Sequence, residues 1–170
     1  MSCSPVFGGL LPCAPLYLVP GCYQQPQTIS DTSIEKGLVG YLTANPGVSC
    51  VLGSRIYARR APRTNAVYPL LTYRVHKDHA NGLAGSLGYA TATLELDIWG
   101  DDYEDVATAA EAVRRALQGF SGWWGCVGVA SVTLDDDEDS DERPGDSSNV
   151  WYYQRSLDFA VIFMEPVPKF

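Results

Sequence analysis

Polar and apolar residues alternate without a break from Thr91 to Trp99. Ala92, Leu94, Leu96 and Ile98 fall on one side, and Thr91, Thr93, Glu95, Asp97 and Trp99 on the other. A period of two predicts a strand with one buried and one polar face. Gly100 interrupts it, and Asp101 or Asp102 then supplies a helix cap, a carboxylate that accepts from open amides of the first turn. Beyond this joint the period changes to three and four through Tyr103, Val106, Ala110, Val113, Leu117 and Phe120. That stripe suits the apolar side of the preceding strand. Glu104 and Asp105 open the helix and Arg114 and Arg115 lie near its end, which complements the helix dipole.

The same test reads the rest of the chain. Thr32-Ser-Ile-Glu35 fits a capping box, and Ile34, Leu38, Tyr41 and Leu42 follow on one helical face until Asn45-Pro46-Gly47 stops it. A turn from Val48 to Gly53 leads to a brief strand at Arg55-Ile56-Tyr57, then to a turn-rich loop over 58–67. Residues 68–76 read as a strand, with Pro69 near its start or at a sheet edge. "KDHANGLAGSLG" reads as a glycine-rich loop, and it lacks the GxxxxGK[ST] pattern of a phosphate loop. Residues 126–134 read as a strand. Residues 150–163 read as a long one, with Trp151, Tyr153, Leu157, Phe159, Val161 and Phe163 on one face. Tyr152, Gln154, Ser156 and Asp158 share the other face. Arg155 interrupts the apolar face and needs an edge or an acid there. Connections between strands are mostly too short for parallel crossovers. The expected fold is α+β: a mainly antiparallel sheet of four to five strands with two helices packed on one face.

Charge adds a feature that periodicity does not. The 170 residues carry a net charge of −8, yet residues 135–146 hold eight acids and one base, or −7. The body is therefore close to neutral. No basic patch of the kind that holds DNA phosphates appears. Mutual repulsion predicts a solvated acidic loop over 135–149. Its EF-hand match fails, because Ser140 and Asp146 stand where a calcium loop needs Gly and Glu. The first 30 residues contain no Asp, Glu, Lys or Arg, and Pro5, Pro12, Pro15 and Pro20 interrupt their apolar run. That pattern does not fit a signal peptide. It predicts an extended arm whose Phe7, Leu10, Leu11, Tyr17 and Leu18 lie either on the same domain or on a neighbouring subunit. No apolar run is long enough to predict a membrane span.

Candidate chemistry is sparse. The five cysteines form no CxxC pair; they read as thiols in a reducing compartment, with a disulfide among the N-terminal three as the other reading. Zinc is not expected, since no histidine lies near them. His76 and His79 read as surface residues rather than metal ligands. Glu95 and Asp97 share a strand face at a spacing open to acid–base work, but exposed alternating acids are ordinary on a half-buried strand. The chain so far reads as an assembly component: a small domain with an apolar arm and a polar sheet face.

Several segments, in this order, resemble the tail-terminator or tail-completion proteins of long-tailed bacteriophages. They are "IEKGLVGYLTANPGVSCVLGSRIYARRAP", "VYPLLTYRV", "YATATLELDIWGDDYEDVATAAEAVRRALQGF", "VTLDDDED" and "YYQRSLDFAVIF", within residues 34–163. The resemblance implies a structural protein of the virion, assembled in the host cytoplasm and placed at the junction of tail and neck. It implies a homo-oligomeric ring, usually hexameric, that caps the head-proximal end of the tail tube and docks to the head connector while DNA passes through its bore. No cofactor, metal, catalysis or membrane is implied. The domain layout becomes an arm over 1–30, a terminator-like domain over 31–165 and a tail over 166–170. The polar face with Thr93, Glu95, Asp97, Tyr152, Gln154 and Asp158 is expected to line the bore or a subunit contact. The acidic run Asp135, Asp136, Asp137, Glu138 and Asp139 is expected to reach the bore or a basic partner. Rival readings are a head-closure or connector protein of the same particle, an acidic DNA mimic, and a small-molecule enzyme with a pocket around Glu95 and Asp97.

Overall fold

The computed structural model describes residues 33–62, 65–82, 85–142 and 152–165. The arm residues Phe7, Leu10, Leu11, Tyr17 and Leu18, the far part of the acidic segment and the tail lie outside these. In chain order the elements are α1 (Ile34–Ala44), α2 (Pro46–Leu52), β1 (Ile56–Ala58), β2 (Leu70–Gly82), β3 (Gly85–Gly100), α3 (Tyr103–Leu117), β4 (Gly122–Trp124), β5 (Val127–Glu142) and β6 (Tyr152–Met164). The strands form one sheet in the order β1-β2-β3-β6-β5-β4. The α+β class holds, with six strands and three helices among the described residues instead of four to five and two. All pairs are antiparallel except β1 with β2. The described residues between Arg59 and Pro69, which lead back to that parallel pair, contain no helix.

The joint that opened the sequence reading folds as its periodicity requires. Ala92, Leu94, Leu96 and Ile98 are buried, and so are Val106, Ala110, Val113 and Leu117 of α3. The Asp102 carboxylate accepts from the Glu104 amide at 2.8 Å and caps α3. Tyr103 departs from the expected stripe: it is exposed and sets its ring edge-on to Tyr153. Leu157, Phe159, Val161 and Phe163 complete the sheet side of the core, facing Ile34, Leu38, Leu42, Val48 and Leu52 of the first two helices.

Five local expectations change. The described N-cap of α1 is Ser33, whose side chain makes no cap bond; its hydroxyl donates to the Glu35 carboxylate, and Glu35 pairs with Lys77 at 2.8 Å. Asn45-Pro46-Gly47 ends α1 but also starts α2, because Asn45 Oδ1 accepts from the Gly47 amide at 3.0 Å and Pro46 fits a first helical turn. The glycine-rich stretch is no loose loop: β2 and β3 stay paired from Leu70↔Trp99 out to Gly82↔Gly85. Cys50 is disulfide-bonded, against the reading of thiols throughout, whereas Cys126 retains its thiol.

The fifth change concerns the acidic run. Residues 135–142 belong to β5 and pair with β6, from Asp136↔Asp158 to Glu142↔Tyr152. Register shifts at Ala130 and Asp135 mark two bulges, each adding a residue to one strand. The second bulge turns Asp137 and Asp139 toward the helix side of the sheet. There Arg155 donates to both oxygens of Asp137 at 2.7 and 2.9 Å, with Asp139 at 3.6 Å. A cation placed between two acids removes the repulsion that predicted a loop, and ladder bonding to β6 then decides the backbone. Arg155, the misfit on an apolar face, thus finds its acid.

Candidate functional site

The helices cover one face of the sheet and leave the other to the polar side chains. Strand register sorts this outer face into rows. Arg74, Glu95, Asp158 and Asp136 stand side by side on β2, β3, β6 and β5; Thr72, Asp97, Ser156 and Glu138 form the next row, and Leu70, Trp99, Gln154 and Ser140 the one after. All six residues expected on a functional face, Thr93, Glu95, Asp97, Tyr152, Gln154 and Asp158, therefore share it. Asp136 and Glu138 of the acidic run join them. Asp137 and Asp139 do not, being held on the opposite face by Arg155, and Asp135 sits in the bulge.

The rows are tied by side chains. Asp97 Oδ1 accepts from Ser156 Oγ at 2.7 Å and from Gln154 Nε2 at 3.0 Å; Gln154 Oε1 accepts from Ser140 Oγ at 3.2 Å. This network links β3, β6 and β5 and makes Asp97 Oδ1 a structural tie. One row up, Arg74 holds Glu95 at 3.2 Å. Asp158 has acids on both sides. Burial first, then the charges of Glu95, Asp136, Asp97 and Asp135, raise its carboxyl above the ordinary aspartate value.

At the β1–β2 edge this face opens into a cleft of about 380 Å³, lined by Arg59, Arg60, Arg74, Tyr68, Trp99 and Tyr152 among others. Arg59 has a positive φ of 63°, and its amide donates to the Tyr73 carbonyl at 2.9 Å. That bond fixes the turn that brings both arginines over the sheet. Tyr68 and Tyr152 close one side with ring centroids 5.3 Å apart. Among the described residues neither Arg59 nor Arg60 holds a carboxylate.

The other end of the outer face is apolar. Tyr89, Met164, Gly128 and Trp123 lie in one row across β3, β6, β5 and β4. A Cβ on Gly128 would meet Met164 Sδ at 3.0 Å, so the glycine makes room for the methionine between its neighbours. Tyr89 is 46%, Met164 62% and Trp123 55% exposed, and Leu87 and Ile162 add to the patch. Large exposed apolar side chains gathered in one place mark a contact surface. Sequence reading missed this row because Tyr89, between the glycine-rich stretch and the alternation from Thr91, and Trp123, between the helix and the strand at 126–134, fell outside the elements it assigned. It missed the arginine cleft because its three bases come from a turn and a strand. Among the described residues no three side chains converge as metal ligands. His79 is exposed and instead meets Glu165 at 2.8 Å. No helix among them is long and apolar enough to cross a membrane.

Comparison with known proteins adds two findings. The family model described as "Tail completion protein gp17" matches residues 36–150. Among solved structures, a chain of the "Virion of native gene transfer agent (GTA) particle" superposes with a TM-score of 0.58 at 16% identity, covering 74% of this chain and 90% of that one. This is a likeness of fold. Comparison with curated protein sequences returns no match.

Proposed function

From the premise that this chain belongs to the tail completion protein gp17 family, we propose that it is a structural virion protein. It forms a ring that closes the head-proximal end of a tail tube and joins it to the head connector. The observation that carries this reading is the division of the uncovered sheet face. Its apolar end, with Tyr89, Met164 and Trp123, suits a dry contact with another protein. Its acidic rows, with Glu95, Asp97 and Asp158, suit a wall along which DNA slides without sticking, because like charges repel phosphates.

In this reading the apolar end seats on a neighbouring tail or neck protein, and Thr93, Glu95, Asp97, Gln154 and Asp158 face the channel. A ring further needs two different surfaces per copy, repeated by rotation, and the sheet offers unlike edges at β1–β2 and β5–β4. The likeness of fold to a chain of a virion particle supports the same role. The role requires no reaction, and Asp97 Oδ1 serves it by tying β3 to β6. The test is electron microscopy of particles made without this chain. Tails of uncontrolled length, or tails that fail to join heads, are expected. Normal tails joined to full heads would overturn the reading.

A further inference from the structure

The two free edges of the sheet carry opposite charge at the same height. The row that starts with Arg74 on β2 ends with Asp136 on β5, three strand spacings or roughly 14 Å away. On the β2 side, β1 covers Leu71–Tyr73 alone, and Arg59, Arg60 and Arg74 gather at that margin around the cleft. On the β5 side, β4 covers Val127–Val129 alone, Gln118 and Gly119 reach Leu134 and Val132, and no described strand follows. Asp136 and Glu138 stand there on the same face as the arginines. In the next row Glu138 on β5 stands level with the uncharged Thr72 at the cleft.

We propose that these edges are the two halves of one contact between copies of this chain: Asp136 and Glu138 of one copy enter the Arg59, Arg60 and Arg74 cleft of the next. The inference rests on the ring reading and names its subunit interface. Complementarity selects the occupant. The cleft presents three guanidiniums against one carboxylate of its own lining, Asp97, and among the described residues neither Arg59 nor Arg60 forms an ion pair with an acid. The densest source of carboxylates in this chain lies on the opposite edge and cannot fold back to its own cleft, because β3 and β6 stand between. A second copy brings the two together without changing either. Because donor and acceptor are different patches, the contact is head-to-tail, the type that builds a ring when its rotation closes. Arginine forks match carboxylates in paired geometry, and the aromatic walls of Tyr68, Trp99 and Tyr152 shield them from water.

The test exchanges the charges. Variant one carries Arg59→Glu and Arg60→Glu; variant two carries Asp136→Lys and Glu138→Lys. Oligomer mass is measured by light scattering for the full chain, alone and with purified tails, after circular dichroism and thermal unfolding show each variant folded. The wild type is expected to assemble, with the oligomer weakening as salt rises from about 50 mM to about 500 mM. Each variant alone is expected to lose assembly, and an equimolar mixture is expected to regain it as alternating copies. Folded variants that each assemble like the wild type, or a mixture that stays dispersed, overturn the proposal and leave the ring reading standing. A wild-type chain that stays monomeric both alone and on tails sinks both. Should a quadruple charge change unsettle the fold, Arg60→Ala and Glu138→Gln give the same comparison through the loss of salt dependence.

Discussion

Arg155 grips Asp137 with two parallel hydrogen bonds, Nε at 2.7 Å and Nη2 at 2.9 Å, across the β5–β6 pair. Both side chains are about three-quarters covered. The paired geometry and partial burial raise this contact above an exposed ion pair. The guanidinium is correspondingly held more firmly protonated, through the Asp137 hydrogen bond first. Arg155→Ala leaves Asp137 and Asp139 facing each other without a cation. The expected loss is about 1–2 kcal/mol in urea unfolding, with faster amide exchange confined to residues 135–142. Arg155→Lys restores the charge but not the fork and is expected to recover part of the loss. An unchanged exchange pattern in Arg155→Ala would show that the ladder alone holds this strand.

Gly37 lies in α1 directly over Trp124. A Cβ there would meet the Trp124 carbonyl oxygen at 2.6 Å and its Cβ at 2.9 Å. The contact is with backbone, which cannot swing away. Gly37→Ala, despite improving helix propensity, is expected to destabilise by about 1–3 kcal/mol. Gly40→Ala is the control in the same helix, since nothing lies within 4 Å of its added Cβ; it is expected to stabilise by about 0.5–1 kcal/mol. Thermal unfolding of both variants checks the pair, and equal effects would refute the packing argument.

Asp158 has a raised carboxyl pKa, from burial first and then from the acids around it. Its sign is opposite to that of a salt-bridged acid. The folded state binds its proton more tightly than the unfolded state does, so stability declines as pH climbs from the ordinary aspartate value through the raised one. Above that window the penalty is constant. Asp158→Asn is therefore expected to stabilise the fold at pH 7 by roughly 0.5 kcal/mol, a figure reduced for solvent screening. The gain should vanish below the ordinary aspartate value of about 3.8 and shrink in high salt. A gain that persists in acid would point to packing instead of charge.

Trp123 and Met164 are the most exposed members of the apolar row. Trp123→Ser with Met164→Ser removes apolar surface that contributes little to the isolated fold. The expected outcome is a chain whose unfolding free energy stays within about 0.5 kcal/mol of the wild type and that no longer sediments with purified tails. Retained sedimentation would place the axial contact elsewhere.

How much of this was legible in the sequence depends on which force set each element. Where burial decides, as from Ala92 to Ile98 or in the Val106–Leu117 stripe, periodicity located strand, helix and face correctly. The polar face was legible for the same reason, as the other half of an alternation. The acidic strand was not, because local repulsion argued for a loop and the answer lay with Arg155, distant in sequence from Asp137. Bulges at Ala130 and Asp135 also broke the period of two, hiding the fact that Val132 and Leu134 continue the face of Val129. The Tyr41, Phe120 and Trp124 cluster, with centroids 4.6 to 5.9 Å apart, joins three separate segments and has no local signature. The arginine cleft was missed on similar grounds, for it arises only once a turn with a positive φ is laid across β2.

The bulge at Asp135 also bears on solubility. A long strand margin with open amides and carbonyls invites indefinite side-by-side stacking of chains, the route to fibres. From Asp135 to Asp141 that margin carries six acids and one serine, and the extra residue twists it away from flatness. Random lateral growth is thereby penalised by charge at neutral pH, while an arginine-bearing margin at the right level remains an admissible neighbour. Acidification removes the penalty, and turbidity that rises as the carboxylates take up protons is its visible sign.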